Sequence, residues 1–104
     1  MSSTAEKLRH ARELILESEH WEKYVSYRDD HGAPTTEEAD ARSYCAMGAC
    51  IASVKEIKDI YEMEAALVDV LPDGYESVTS YNDDEHTGHE DIVALFDRAI
   101  AQVD

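Results

Sequence analysis

The apolar spacing of this 104-residue chain predicts an all-α fold, about four helices packed as a small orthogonal bundle with at most a minor two-stranded ribbon. Three observations carry that expectation. Apolar residues recur at every third or fourth position in three separate stretches. Ser or Thr stands three residues ahead of Glu at Ser3–Glu6, Thr35–Glu38 and Thr87–Glu90, the spacing of a capping box that opens a helix. Leu71-Pro72-Asp73-Gly74 supplies a firm stop and turn between helical stretches. The length fits one domain, residues 1–104, and leaves little room for two cores.

The first helix opens at Ser3 and carries the stripe Leu8, Ala11, Ile15 and Ser18, with an end expected near Glu19–Trp21. Trp21–Tyr27 is aromatic and β-prone, and Asp29–Pro34 is loop. The second helix opens after Thr35-Thr36 and buries Ala41, Tyr44, Cys45, Gly48 and Ala52. A further stripe runs through Ile57, Ile60, Met63, Leu67, Val70 and Leu71. One helix from 36 to 71 would be long for so small a domain, so two are favoured, with the break near Val54–Asp59. Tyr75–Tyr81 has strand-like residues and is expected either to pair with Trp21–Tyr27 or to run as an extended loop. Thr87 caps the last helix, whose stripe is Ile92, Phe96, Ala99, Ile100 and Val103.

Charge is the extreme feature: 24 acidic against nine basic residues, net −15. Residues 1–34 carry seven acids and five bases, and residues 35–104 carry seventeen and four. Nucleic-acid binding needs Lys and Arg to displace counterions from phosphates, so this composition argues against it. It argues equally against an anionic membrane surface. There is no apolar stretch of the ~20 residues a spanning helix needs, and the opening residues lack the basic start and apolar block of a secretion signal. A cytoplasmic protein is expected. Cys45 and Cys50 lie five apart, about 140° around a helix, which disfavours a bridge between them and suits two buried free thiols.

Residues 82–91 gather carboxylates and two imidazoles, the groups that bind divalent metals. His86, His89, Asp83 and Asp84 are the candidate ligands. A calcium loop starting at Asp83 would place Glu85, Thr87 and Asp91 at its third, fifth and ninth positions, but its twelfth, where a bidentate Glu belongs, is Ala94. His86-x-x-His89 also falls short of the zinc motif with two His one turn apart. The simpler reading is a helix start, with Glu90 and Asp91 in the first turn complementing the dipole. Cys45 as a nucleophile would need a neighbouring cation, and Arg42 is one turn away; a packed thiol is the simpler reading. His10, His20 and His31 have no partner at a readable spacing. No Gly-rich phosphate loop or Ser-His-Asp signature stands out, so an enzyme is disfavoured and no cofactor is implied. On the stretch Ile57–Leu71, Asp59, Glu62 and Asp69 recur opposite the apolar side with Glu56 nearby, a carboxylate row suited to a basic protein partner. The expected role is a protein-binding accessory or regulatory factor. The rivals are a metal- or small-molecule-binding protein centred on 82–91 and a structural or oligomerising piece.

Trp21, the run Ala41-Arg42-Ser43-Tyr44-Cys45-Ala46-Met47-Gly48-Ala49, the triplet Tyr81-Asn82-Asp83 and Thr87 with Val93–Ile100 behind it form a familiar combination. Over residues 21–101 it resembles a family of small uncharacterised proteins, a domain of unknown function, of actinobacteria and their phages. That family's pattern is an aromatic-Cys-x-x-Gly-Ala helix, an aromatic-Asn-Asp turn, a Thr cap and a final Leu-x-x-Ala helix. Here Ser43 separates Arg42 from Tyr44, and Tyr81 stands where Trp is commoner. The resemblance implies a fold and a bacterial or phage source, with no activity to transfer. It also implies that Asn82 and Asp83, if they face the Cys-Gly helix, tie their turn to the helix ends.

Overall fold

A computed structural model describes residues 3–104; Met1 and Ser2, the start of the opening segment read above for a secretion signal, lie outside them. Helix α1 (Thr4–Leu14) starts as its sequence predicts, with Ser3 Oγ accepting the Glu6 N–H at 3.1 Å. Leu8, Ala11 and Ile15 are buried. The helix stops several residues short of the expected end, and a short 3-10 turn follows at Ser18–His20. Its end tightens into 3-10 bonds, Ile15 N–H to Arg12 O at 3.2 Å and Leu16 N–H to Glu13 O at 3.3 Å. Just past that end His89 Nε2 sits 2.6 Å from the Ile15 carbonyl, the acceptor that a longer helix would offer to Glu19.

The chain is not purely all-α. Strand β1 (Tyr27–Arg28) is the centre of a small antiparallel sheet, flanked by β2 (Pro34–Thr35) and β3 (Ser43–Tyr44) in the order β2-β1-β3. Of the two alternatives for 75–81, the ribbon with 21–27 does not form; β1 finds both partners within the next seventeen residues. The helix expected to open at Thr35-Thr36 is also absent. Thr35 Oγ1 accepts the Glu37 N–H at 3.1 Å, which turns the chain without starting an α-helix. Glu37, Glu38 and Asp40 leave that stretch with no apolar face to bury, and the Arg42 N–H donates instead to Arg28 O at 2.7 Å.

Helix α2 (Ala46–Ser53) begins ten residues later than expected, capped by Cys45, whose Sγ accepts the Gly48 N–H at 3.2 Å. Val54 is extended and separates α2 from α3 (Ile57–Val68), so the favoured two-helix reading holds although no Gly or Pro marks the break. Gly74, at φ +98°, makes the predicted turn. Residues 75–81, read as strand-like, lead instead into helix α4 (Val78–Asp83). Ser77 and Ser80 cap each other's backbone N–H groups, and Val78, Tyr81 and Asn82 fall on the buried side. Helix α5 (His89–Val103) is capped at Gly88 rather than Thr87: Asp91 Oδ2 accepts the Gly88 N–H at 2.8 Å, and Thr87 is buried.

The core joins Leu8 and Ile15 of α1 and its C-cap, Cys50 of α2, Met63 and Leu67 of α3, Val78 of α4, and Ile92, Leu95 and Phe96 of α5. Helix α1 packs on α5 and α2, and α3 packs on α5. The sheet lies at the start of α2, where Gly48 allows its backbone to approach. A Cβ there would lie 2.3 Å from Ser26 O, so the small residue admits the strand segment before β1. Among the described residues no helix is long and apolar enough to cross a membrane.

Candidate functional site

Asn82 is the best-connected polar side chain of the molecule and is 1% exposed. Its Oδ1 accepts Trp21 Nε1–H at 2.7 Å and the Ala46 N–H at 3.0 Å. Its Nδ2 donates to Glu22 O at 3.0 Å and to Asp83 Oδ1 at 2.9 Å. One amide thus uses all four of its hydrogen-bonding positions to join α4, the 21–24 segment and the first turn of α2. Asp83 extends the lock by accepting the Tyr24 N–H at 2.9 Å. Tyr24 has φ +71°, a left-handed conformation that costs a non-glycine residue about 1 kcal/mol or more, and this hydrogen bond helps hold it there. Lys23 Nζ donates to Asp84 O at 2.6 Å on the same seam. Of the tie to the helix start implied by the resemblance, Asn82 makes the bond to α2 and Asp83 bonds the 21–24 segment and Asn82 instead, and the pair sits in the last turn of a helix rather than in an open turn.

The candidate metal ligands take four separate positions. Asp83 is engaged as described, and Asp84 Oδ1 accepts the His86 N–H at 2.8 Å. His86 is exposed, with Nε2 3.4 Å from Glu85. His89 points the other way, toward Ile15 O; a carbonyl can only accept, so Nε2 carries the proton. Its ring lies 6.1 Å from that of Trp21. Among the described residues no three His, Cys, Asp or Glu side chains gather as a metal site.

Both thiols are free and buried. Burial pushes the Cys45 thiol above its ordinary value, only partly offset by the N–H groups of Gly48 and Met47 that face the sulfur. Burial raises the Cys50 thiol much further. Arg42, the cation that sequence spacing put beside Cys45, pairs instead with Asp30 at 3.1 Å in solvent. The chemistry of the two sulfurs is that of neutral packed groups.

The predicted carboxylate row on α3 is only partly in solvent. Asp59 is held by Lys7 at 2.7 Å with its side chain 17% exposed, which raises the Lys7 pKa through that hydrogen bond. Glu62 lies 3.5 Å from Thr4 Oγ1, and Glu56 lies 3.9 Å from Lys58. Asp69 is exposed. The outward face of α3 is partly apolar and includes Ile57, which the sequence pattern assigned to the core stripe. Ile57 is 66% exposed, Tyr61 64% and Val68 41%, and exposed Ala65 lies between them. Their spacing of four, four and three residues puts them on one stripe. By the same helical period Glu62 and Asp69 border one edge of the stripe and Glu64 the other. An open groove of about 790 Å³ runs beside this face between α1 and the start of α3; Lys7, His10, Lys55, Glu56 and Glu62 among its walls give it both signs of charge.

These features define a small helical protein with a minor three-stranded sheet, a polar lock around Asn82 and an acid-bordered apolar face on α3. The chain belongs to the family of unknown function DUF6197, whose model matches residues 1–102. That range is wider than the 21–101 over which its sequence resembles a domain of unknown function. No curated protein and no solved structure matches it.

Proposed function

We propose that this protein is an accessory or regulatory factor of bacterial or phage origin that works in the cytoplasm by docking, through its acidic surface, on a basic protein partner. The observation that carries the reading is how the few cations are spent. Six of the nine Lys and Arg residues, Lys7, Arg9, Arg12, Arg28, Arg42 and Lys58, lie against carboxylates of the same chain. Those pairs occupy six of 24 acids, leaving a surface whose unmatched charge is overwhelmingly negative. Such a field accelerates encounter with a basic surface and rejects phosphate backbones.

The test is capture of a partner from the source cells at graded salt. Recovery of a basic protein is expected to fall as the Debye length shrinks from ~10 Å at 0.1 M to ~3 Å at 1 M. It is also expected to be lost with Glu62→Lys plus Asp69→Lys, while circular dichroism keeps the native spectrum. Asp59 is left intact in that variant because its ion pair with Lys7 joins α3 to α1. Recovery indifferent to both salt and charge reversal would end the docking reading.

A further inference from the structure

We infer that the docking face is the outward stripe of α3, Ile57, Tyr61 and Val68, and that its occupant is a basic amphipathic helix of another protein; this deepens the docking function and rests on it. The stripe is not a loose scatter of apolar side chains. It runs the length of a twelve-residue helix that is otherwise well anchored, with Met63 and Leu67 fully buried on the opposite side. A rigid helix of that length presents about 18 Å of ridge, or three turns, which matches three turns of a partner helix laid against it. Large apolar side chains at four- and seven-residue intervals are the anchors that helix-on-helix recognition reads.

Charge selects the occupant. Glu62 and Asp69 on one edge and Glu64 on the other place carboxylates on both sides of the ridge, and the one cation on those edges, Lys58 in the first turn, lies 3.9 Å from Glu56. The complementary surface is therefore an apolar stripe flanked mainly by Lys or Arg. A second copy of this chain would bring its own net charge of −15 and the same acidic borders to the contact, which like-charge repulsion opposes. An anionic lipid surface is opposed for the same reason. A basic helix satisfies ridge and borders together.

The probe is a synthetic 18-residue peptide with Leu on one helical face and Lys along both flanks. Its control is a scramble of the same residues with the same charge and no apolar face. The helical peptide is expected to bind at least tenfold more tightly than the scramble and to gain helicity on binding. Its amide shift perturbations in nuclear magnetic resonance spectra should be confined to Ile57–Asp69 and the adjoining part of α1. Ile57→Ser plus Tyr61→Ser should erase the difference between the two peptides while leaving the salt-dependent weak binding of both. If helical and scrambled peptides bind alike, or the shifts fall elsewhere, the α3 site is wrong and the broader acidic docking function survives. If neither peptide binds at low salt, both readings fall. Sedimentation showing a dimer that Tyr61→Ser dissolves would assign the face to a second copy and overturn the basic-helix occupant.

Discussion

Around Asn82 the protein turns its polar groups on itself, whereas along α3 it turns carboxylates and three large apolar side chains toward solvent. The two regions draw on similar residues. In the first, Asp83 Oδ1 accepts the Tyr24 and Asn82 N–H groups. In the second, Asp69 is exposed and Glu62 has one long contact, to Thr4. Burial makes the difference. A polar group removed from water must find partners or cost about 1–3 kcal/mol, whereas an exposed carboxylate is satisfied by solvent and adds little to stability. The lesson is that the polar lock is structural and the α3 face is available for something else.

Mutations can break that contrast. The ceiling is set by the core, where Phe96→Ala removes a fully buried ring and should cost about 3–5 kcal/mol. Asn82→Ala is expected to come close, at about 2–4 kcal/mol, because it strands the Trp21 indole N–H, the Ala46 N–H and Glu22 O at once. Denaturant unfolding followed by the fluorescence of Trp21, the chain's one tryptophan, measures both. A midpoint for Asn82→Ala within error of the parent would show that the lock is ornamental.

Gly48→Ala comes next, at about 1–3 kcal/mol, since the added carbon must push the Ser26 carbonyl aside and loosen the approach of β1 to α2. Amide exchange at Cys45, whose N–H donates to Ser26 O at 3.1 Å, should speed up with it. Unchanged protection at that amide would mean the close approach costs nothing to relieve.

The thiols predict a pH effect with a definite sign. Both are raised above the ordinary value of 9.0 in the folded chain, so the unfolded chain ionises first. Their contribution to stability is fully present below about pH 9 and is lost progressively as pH rises beyond it. The parent should therefore lose more stability between pH 8.5 and 10.5 than a Cys45→Ala, Cys50→Ala double variant. Equal slopes in the two proteins would refute buried neutral thiols, as would rapid native-state alkylation of Cys50 at pH 8.

The smallest effects belong to the other side of the comparison. Ile57→Ser and Tyr61→Ser should each shift stability by no more than about 0.5 kcal/mol, because these side chains are already two-thirds in water. A loss above about 2 kcal/mol at either position would mean that they pack against the fold and are not available to a partner.

Much of the helical frame is legible in the chain. Ser3 as a cap, the turn at Leu71–Gly74 and the regular stripe of α5 are local patterns, and local patterns survive folding because they need only neighbours a few residues away. The misreadings share a cause. Thr35-Thr36-Glu37-Glu38 has the form of a helix start, but the residues after it had no core to face, and Arg28 of β1 and Ser26 just before it offered Arg42 and Cys45 backbone acceptors instead. Tyr75–Tyr81 has strand composition, yet a Ser77–Ser80 cap and the need to deliver Asn82 to Trp21 and Ala46 made it helical. Ile57 fits the apolar period of α3 but lies at its first turn, beyond the reach of the packing helices.

The sequence by itself determined that the protein is small, mainly helical and strongly acidic, where three of its helices run, and that Asn82 and Asp83 were worth watching. Only the tertiary structure decided that Asn82 is a four-way lock, that His89 occupies Ile15's carbonyl just past the end of α1, that Asp59 is locked onto Lys7, and that α3 shows an apolar ridge to solvent. The physical reason is one of range. Periodicity and caps report interactions within a turn or two of chain, while each of these outcomes depends on a partner more than fifty residues away or, for the ridge, on the absence of one among the described residues.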